Sequence, residues 1–176
     1  KIAVIPQGFR FEDYAHLWDE QPRGDIPRFA YAGLIIPGRR DPSKLLQYLH
    51  EVDTPFEFHV FTKTGDIIRP FSKKDSRIIL HDFMPRDALL RELAGMDFLV
   101  NIENAGTKQT PSKLIDYWLC DRPVLNIRSF EFDTRIVDQF LAGDYRSALV
   151  INEPDQYRIE NVAEKFLSLV NSGNEK

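Results

Sequence analysis

The sequence predicts an α/β fold: a Rossmann-like, three-layer domain around a mostly parallel sheet of six strands. Three observations carry this. Short runs rich in Val, Ile and Phe alternate with stretches whose leucines recur at helical spacing. Some runs, above all "FAYAGLII" at 29–36, are apolar throughout, as strands buried on both faces of a parallel sheet are. Strands separated by helices also imply βαβ crossovers, which make neighbouring strands parallel.

Taken in order, "KIAVI" reads as a short β-branched strand closed by "PQG". Residues 11–28 are polar, with Phe11, Tyr14 and Trp18 at loose spacing, and read as a loop or short helix. "RFAYAGLII" is the next strand. After "PGRRDP", Leu45, Leu46, Leu49 and Val52 mark a helix. "FEFHVFT" and "RIILHDF" are strands on either side of a turn-rich surface segment, "GDIIRPFSKKD". "PRDALLRELAGM" is a helix with Pro85 and Asp87 near its start and Leu89, Leu90 and Leu93 along one side. "DFLVNIE" is a strand, followed by the loop "NAGTKQT", the helix "PSKLIDYWL" and the strand "PVLNI". A helix at "TRIVDQFLA", a strand at "SALVI" and a helix at "IENVAEKFLSLV" close the chain. The sequence contains neither repeats nor an internal linker.

Composition narrows the function classes. A chain of 176 residues suits one domain with a sizeable core. A net charge of −4 and a pI near 5.6 give no electrostatic footprint for nucleic acid. Cys120 stands alone, so no intrachain disulfide forms; a buried thiol in a reducing cytosol is expected. No apolar run approaches the roughly 20 residues of a membrane span, and no signal-peptide pattern occurs. The chain opens on Lys1 inside a strand-like run, which reads as a piece of a longer protein.

In open parallel sheets ligands lie beyond the carboxyl ends of the strands. That rule selects the loops after Ile36, Thr62, Phe83 and Ile102. Beyond the last, Thr110 suits an N-cap, Pro111 a first helical position, and Ser112 to Leu114 offer free backbone N–H groups. A helix start after a strand and a Gly-containing loop can receive phosphate, and Gly106 lets the loop backbone approach it. Asp116 shares a face with Ser112, roughly 6 Å along the axis, where a carboxylate can accept from the vicinal hydroxyls of a ribose. The same residues also suit a plain capped helix, with Asp116 solvated and Leu114, Ile115 and Trp118 packed.

Here the residues carry a resemblance. "TPSKLIDYWLCDRPVLNI" resembles the nucleotide-binding segment of GT-B glycosyltransferases, where a Pro-Ser-Lys helix start leads to an acid–Tyr pair and a Pro-Val strand. "FAYAG" with "RRDPSKLL", "RIILHDFMPRDALLRELAGMDFLVNIEN" and "IAVIPQGFRF" resemble other parts of the C-terminal half of that fold, in the right order. The resemblance implies an interdomain connector at 1–28 and a donor nucleotide-sugar-binding domain at 29–176. It implies transfer of a sugar from a nucleoside diphosphate sugar to an acceptor, without metal or other cofactor. Gly33, Arg40 (with Arg39 as competitor), Thr110, Ser112, Lys113 and Leu114 would hold the diphosphate, and Asp116 the ribose. His81 to Pro85 would border the base, with Phe83, Pro85 and Thr62 reaching it; Glu103 and Asn104 would reach the donor sugar. The partners implied are the nucleotide sugar and an N-terminal domain, which supplies the acceptor site and any base. The setting implied is polysaccharide biosynthesis in the cytoplasm, with the whole enzyme peripheral at the inner face of the membrane as one option.

One departure stands out. Retaining members often carry two acids separated by seven residues, and the position that answers to the first is Lys108. Stereochemical outcome, base and sugar therefore stay open. His16, His50, His59 and His81 show no metal-ligand spacing, His59 reading as a packed or surface residue, and no GxGxxG or P-loop occurs. Two other readings stand beside this one: a nucleotide-sugar epimerase of the same architecture, and a non-catalytic Rossmann-like binding module.

Overall fold

The computed structural model describes residues 4–19, 24–103, 113–129 and 132–173. At its centre is a five-stranded sheet of β1 (Arg28–Ala32), β2 (Glu57–Phe61), β3 (Ile78–His81), β4 (Phe98–Glu103) and β5 (Val124–Arg128). The order is β3-β2-β1-β4-β5, and every pairing is parallel. The helices are α1 (Ser43–Glu51), α2 (Arg69–Ser72), α3 (Arg86–Ala94), α4 (Lys113–Leu119), α5 (Thr134–Leu141) and α6 (Ile159–Gly173). A 3-10 turn, Phe11–Leu17, precedes β1.

The strands alternate their side chains between two layers of helices. Phe29, Tyr31, Phe58, Val60, Val100 and Ile102 pack with Leu45, Leu46 and Leu49 of α1 and Val137 and Phe140 of α5. Ala30, Ala32, Phe61 and Leu99 pack with Leu90 and Leu93 of α3, with Tyr117 of α4 and with Cys120 just past it. Phe29, on the central strand, is the hub of the first layer. Its ring stacks on Phe98 at 4.5 Å and on Phe58 at 4.8 Å, with Phe56 at 5.7 Å.

The structure departs from the sequence reading in several places. The sheet has five strands among the described residues, not six. The run at 29–36 leaves the sheet after Ala32, because Gly33 takes φ +143° and turns the chain. Residues 147–151 form no strand: one bond, Leu149 N–H to Val124 O at 2.8 Å, touches the β5 edge, and Val150 is exposed. Of "KIAVI", Val4 and Ile5 are irregular and Val4 is almost wholly exposed, while residues 1–3 lie outside the described residues. The surface segment at 65–75 contains α2 and sends Ile68 fully into the core.

Segment 8–18 packs on the domain. The Phe9 N–H donates to Tyr157 O and its carbonyl accepts from Ile159 N–H. Phe11 is buried against Ile115 and Leu119 of α4, and the Trp18 indole N–H donates to Leu119 O at 3.1 Å.

Phe29→Ala removes a ring with no solvent exposure from the middle of this stack. It should lower unfolding free energy by about 3–5 kcal/mol; a denaturation midpoint within error of the parent would refute the hub role.

Candidate functional site

The chain moves outward from β1 to β3, then returns to place β4 on the other side of β1. A crevice at the carboxyl ends of β1 and β4 is the consequence, the position where open α/β sheets take ligands. The two strands pair only at Phe29↔Phe98 and Ala30↔Leu99 and then diverge. Tyr117 of α4, fully buried, fills the gap. Its hydroxyl accepts from Ala32 N–H at 3.0 Å and donates to Val100 O at 3.1 Å.

Lys113 lies one turn before Tyr117 on the same face of α4. Its ammonium nitrogen is shut off from solvent and has no hydrogen-bond acceptor among the described residues. It rests 4.4 Å from the centre of the Tyr31 ring and 5.7 Å from that of Tyr117. Burial holds the amine far below the ordinary lysine value, at about 7, and the positive charge of Arg40 adds to the shift. Gly33 is beside it: a Cβ there would lie 3.3 Å from the Tyr31 hydroxyl and 3.9 Å from the Lys113 Cδ. Burial likewise pushes the Tyr31 phenol up to about 12, against the pull of Arg40. Arg40 therefore joins Lys113 in one electrostatic neighbourhood, while Arg39 is exposed.

The loop from Gly33 to Arg40 is held on both sides. Thr64 Oγ1 accepts from Ile35 N–H and donates to Ile35 O, at 2.9 and 3.1 Å. Ser129 Oγ, just past β5, accepts from Asp41 N–H and donates to Arg39 O, at 3.0 and 2.8 Å.

Between this loop and α3 lies a cavity of about 310 Å³, walled by Gly33, Leu34, Thr62, Phe83, Met84 and Leu89 among others. That is the lower end of the range for small-molecule sites. Phe83 is 67% exposed, with the Lys63 ammonium 4.0 Å from its ring centre. Thr62 is nearly buried and its hydroxyl accepts from Thr64 N–H. Three residues expected from sequence, Gly33, Thr62 and Phe83, thus share one wall.

Asp116 is partly buried, and its Oδ1 accepts from Arg86 Nε at 3.1 Å and Arg86 Nη2 at 2.5 Å. Burial raises its carboxyl above the usual range, and the Arg86 guanidinium opposes that in part. Arg86 opens α3, which follows β3 and so begins near the carboxyl rim of the sheet. The plain capped-helix reading, with Asp116 solvated, is corrected on this point: the carboxylate is ion-paired to Arg86.

The remaining expected residues sort as follows. Leu114 sends its side chain into the core, so only its backbone could face a ligand. Pro85 is exposed at the start of α3, outside the cavity wall. Glu103 ends β4 with both oxygens engaged, Oε1 by Asn126 Nδ2 and Oε2 by Arg128 Nε at 2.8 Å. Thr110, Ser112 and Asn104 lie outside the described residues. His81 contacts His59, Nε2 to Nδ1 at 2.9 Å, and stacks on Phe61 at 4.4 Å. Burial lowers both imidazoles. Sequence reasoning missed Arg86 and Tyr117. The acid–Tyr pair pointed to Tyr117, but nothing local marks Arg86.

No protein-family model matches the sequence, and no curated protein matches it. Solved structures do. The UDP-glucose complex of HepE from Anabaena aligns with a TM-score of 0.64 at 9% identity, over 97% of this chain and 57% of that one. The apo form of the lipopolysaccharide outer core galactosyltransferase WaaB gives 0.59 at 13%, over 98% and 56%. A glycosyltransferase from Rickettsia africae gives 0.66 at 9%, over 100% and 58%. These are GT-B glycosyltransferases, and this chain has the fold of one half of them, spanning between 56% and 58% of their length.

Two substitutions test the local physics. Tyr117→Phe leaves the Ala32 N–H and Val100 C=O buried without their partner and should cost about 1–3 kcal/mol in chemical denaturation; a neutral result would mean the hydroxyl does not hold the strands. Lys113 titrates below the ordinary lysine value, so its charge penalises the folded state fully below about pH 7. The penalty fades as pH rises from there toward the unfolded lysine value. Lys113→Met should therefore raise the melting temperature near neutrality, by about 2–4 °C per kcal/mol recovered, and the gain should shrink with rising pH. A melting temperature below the parent at every pH would refute the penalty.

Proposed function

We propose that this chain is the donor-binding, C-terminal half of a glycosyltransferase that moves a sugar from a nucleoside diphosphate sugar to an acceptor. The observation that carries the reading is the Lys113 ammonium, buried without a hydrogen-bond acceptor among the described residues at the crevice between β1 and β4. A buried charge is costly unless something completes it. A diphosphate would do so, with Arg40 adding a second positive charge.

The cavity under Phe83 suits the base, since an exposed ring offers a face for stacking. Asp116 would accept from the ribose hydroxyls. Thr110 and Ser112 would add donors to the diphosphate, and Asn104 would approach the sugar. Because both oxygens of Glu103 are engaged, its role there would be to orient Asn126 and Arg128.

Cleavage of the bond between sugar and diphosphate develops negative charge on the leaving group. Cations held in a low-dielectric pocket stabilise that charge more in the transition state than in the ground state. Lys113 and Arg40 would perform this role in this chain without a metal. The acceptor site and any base would belong to the N-terminal half, with segment 1–28 as the connector. The HepE complex holds UDP-glucose, which makes a uridine diphosphate sugar a sensible first donor to try. The wider setting we infer is cytoplasmic polysaccharide synthesis; no helix among the described residues is long and apolar enough to cross a membrane.

Thermal shift with UDP, GDP, ADP and their sugars tests the reading. A ligand at a hundredfold excess over its dissociation constant should stabilise the protein by about 2.7 kcal/mol. Asp116→Asn should weaken that ligand by about 1–3 kcal/mol, and Lys113→Met should abolish the shift. No stabilisation by any of them at millimolar concentration would sink the donor-binding account.

A further inference from the structure

Arg86 joins three elements. Its Nε and Nη2 groups both donate to Oδ1 of Asp116 on α4, and Nη1 donates to the Tyr14 hydroxyl on the 3-10 turn. Its guanidinium carbon lies 5.1 Å from the Phe9 ring centre and 4.9 Å from that of Tyr14, within range for cation–π attraction to both. Phe9 is fixed in turn by two backbone hydrogen bonds to residues 157 and 159.

Two details set this apart from an ordinary surface ion pair. Both Arg86 bonds land on one carboxylate oxygen rather than forking across two, so Oδ2 has no donor among the described residues. The cation is also gripped by side chains of the segment before β1, 72 residues away in sequence. Arg86 of α3 is the charged group that acts on the Asp116 carboxyl, and Tyr14 of the 3-10 turn acts on Arg86 in turn. Asp116 itself acts on Tyr117 of α4 and on Cys120 just past it, where the guanidinium of Arg122 is also felt.

We propose that Arg86 is the positioning residue of the ribose subsite, holding Asp116 by Oδ1 so that Oδ2 faces the sugar hydroxyls, with Phe9 and Tyr14 setting its grip. The inference rests on the reading of Asp116 as the ribose ligand. It adds that affinity for a ribonucleotide depends on how segment 9–17 is seated. Burial favours the neutral form of Asp116, which accepts hydrogen bonds poorly; the guanidinium opposes that shift. Without Arg86 the carboxyl should titrate higher still and rotate.

Calorimetric titration with UDP, GDP and ADP, each beside its 2′-deoxy counterpart, tests this at about pH 5.5 and about pH 8. The parent protein should prefer the best-bound ribonucleotide over its deoxy form by about tenfold or more at both pH values. In Arg86→Gln the preference should collapse at the lower pH and return in part at the higher one. Arg86→Lys should keep part of it, and Tyr14→Phe, which deletes one hydroxyl and leaves the ring, should reduce it. If Arg86→Gln keeps the parent preference and pH profile, the positioning role falls while the nucleotide site stands. An unchanged preference in Tyr14→Phe removes the coupling to the N-terminal segment. If the parent binds none of the three nucleotides, the ribose subsite and this inference fall together.

Discussion

The Tyr117 hydroxyl is the constraint on which the rest of the site depends. Neighbouring parallel strands would ordinarily stay hydrogen-bonded, but β1 and β4 separate after Ala30 and Leu99. Separation in a core exposes backbone groups that water cannot reach. Tyr117 resolves this by taking the Ala32 N–H and giving its proton to Val100 O. Ala30 and Ala32 are small enough to let the ring approach from the α4 side. Once Tyr117 is held, helix geometry places Lys113 one turn earlier over Tyr31 and turns Asp116 toward the start of α3. One buried hydrogen-bonded group thus keeps the crevice open and sets where both charges stand.

The arrangement sets local stability against binding. A desolvated ammonium with no acceptor among the described residues weakens the folded state, and the same desolvation strengthens its attraction for an anion, since Coulomb energies grow as the dielectric falls. The domain tolerates this because its other layer is densely aromatic: Phe29, Phe58 and Phe98 stack on the sheet, and Phe140 of α5 meets Phe98 edge-on. The apolar layer carries stability, and the layer of small alanines and polar groups carries the site. A polar ladder at the β4–β5 edge follows the same division. Asn101 donates to Asn126, Asn126 to Glu103, and Arg128 closes the row. That row makes the acid at the end of β4 part of the scaffold.

The segment before β1 also belongs to the site's support. Phe11 and Trp18 pack on α4 from outside, and Phe9 and Tyr14 hold Arg86. A helix so short as α4 has little stability of its own. Its position is set by contacts on both sides, the sheet through Tyr117 and the N-terminal segment through Phe11 and Trp18.

The parallel α/β fold and its principal strands and helices were legible in the residues, from periods of 2 and 3.6 in apolar positions. The loops that follow the strands, and the helix start before Asp116, were local signals for where a site could lie, whereas Gly33, Thr62, Phe83 and Lys113 were named as candidates through the family resemblance. The apolar pattern of "SALVI" could not say whether the edge of β5 would accept another strand, and one backbone bond there decided that it does not. That Asp116 is paired by a residue 30 positions away, that a tyrosine 85 residues from Ala32 replaces its strand partner, and that Lys113 finds no acceptor among the described residues were decided in three dimensions. Local sequence determines backbone preference and which face of an element is apolar. The partner a buried polar group finds, or lacks, depends on which distant elements the packed core brings beside it.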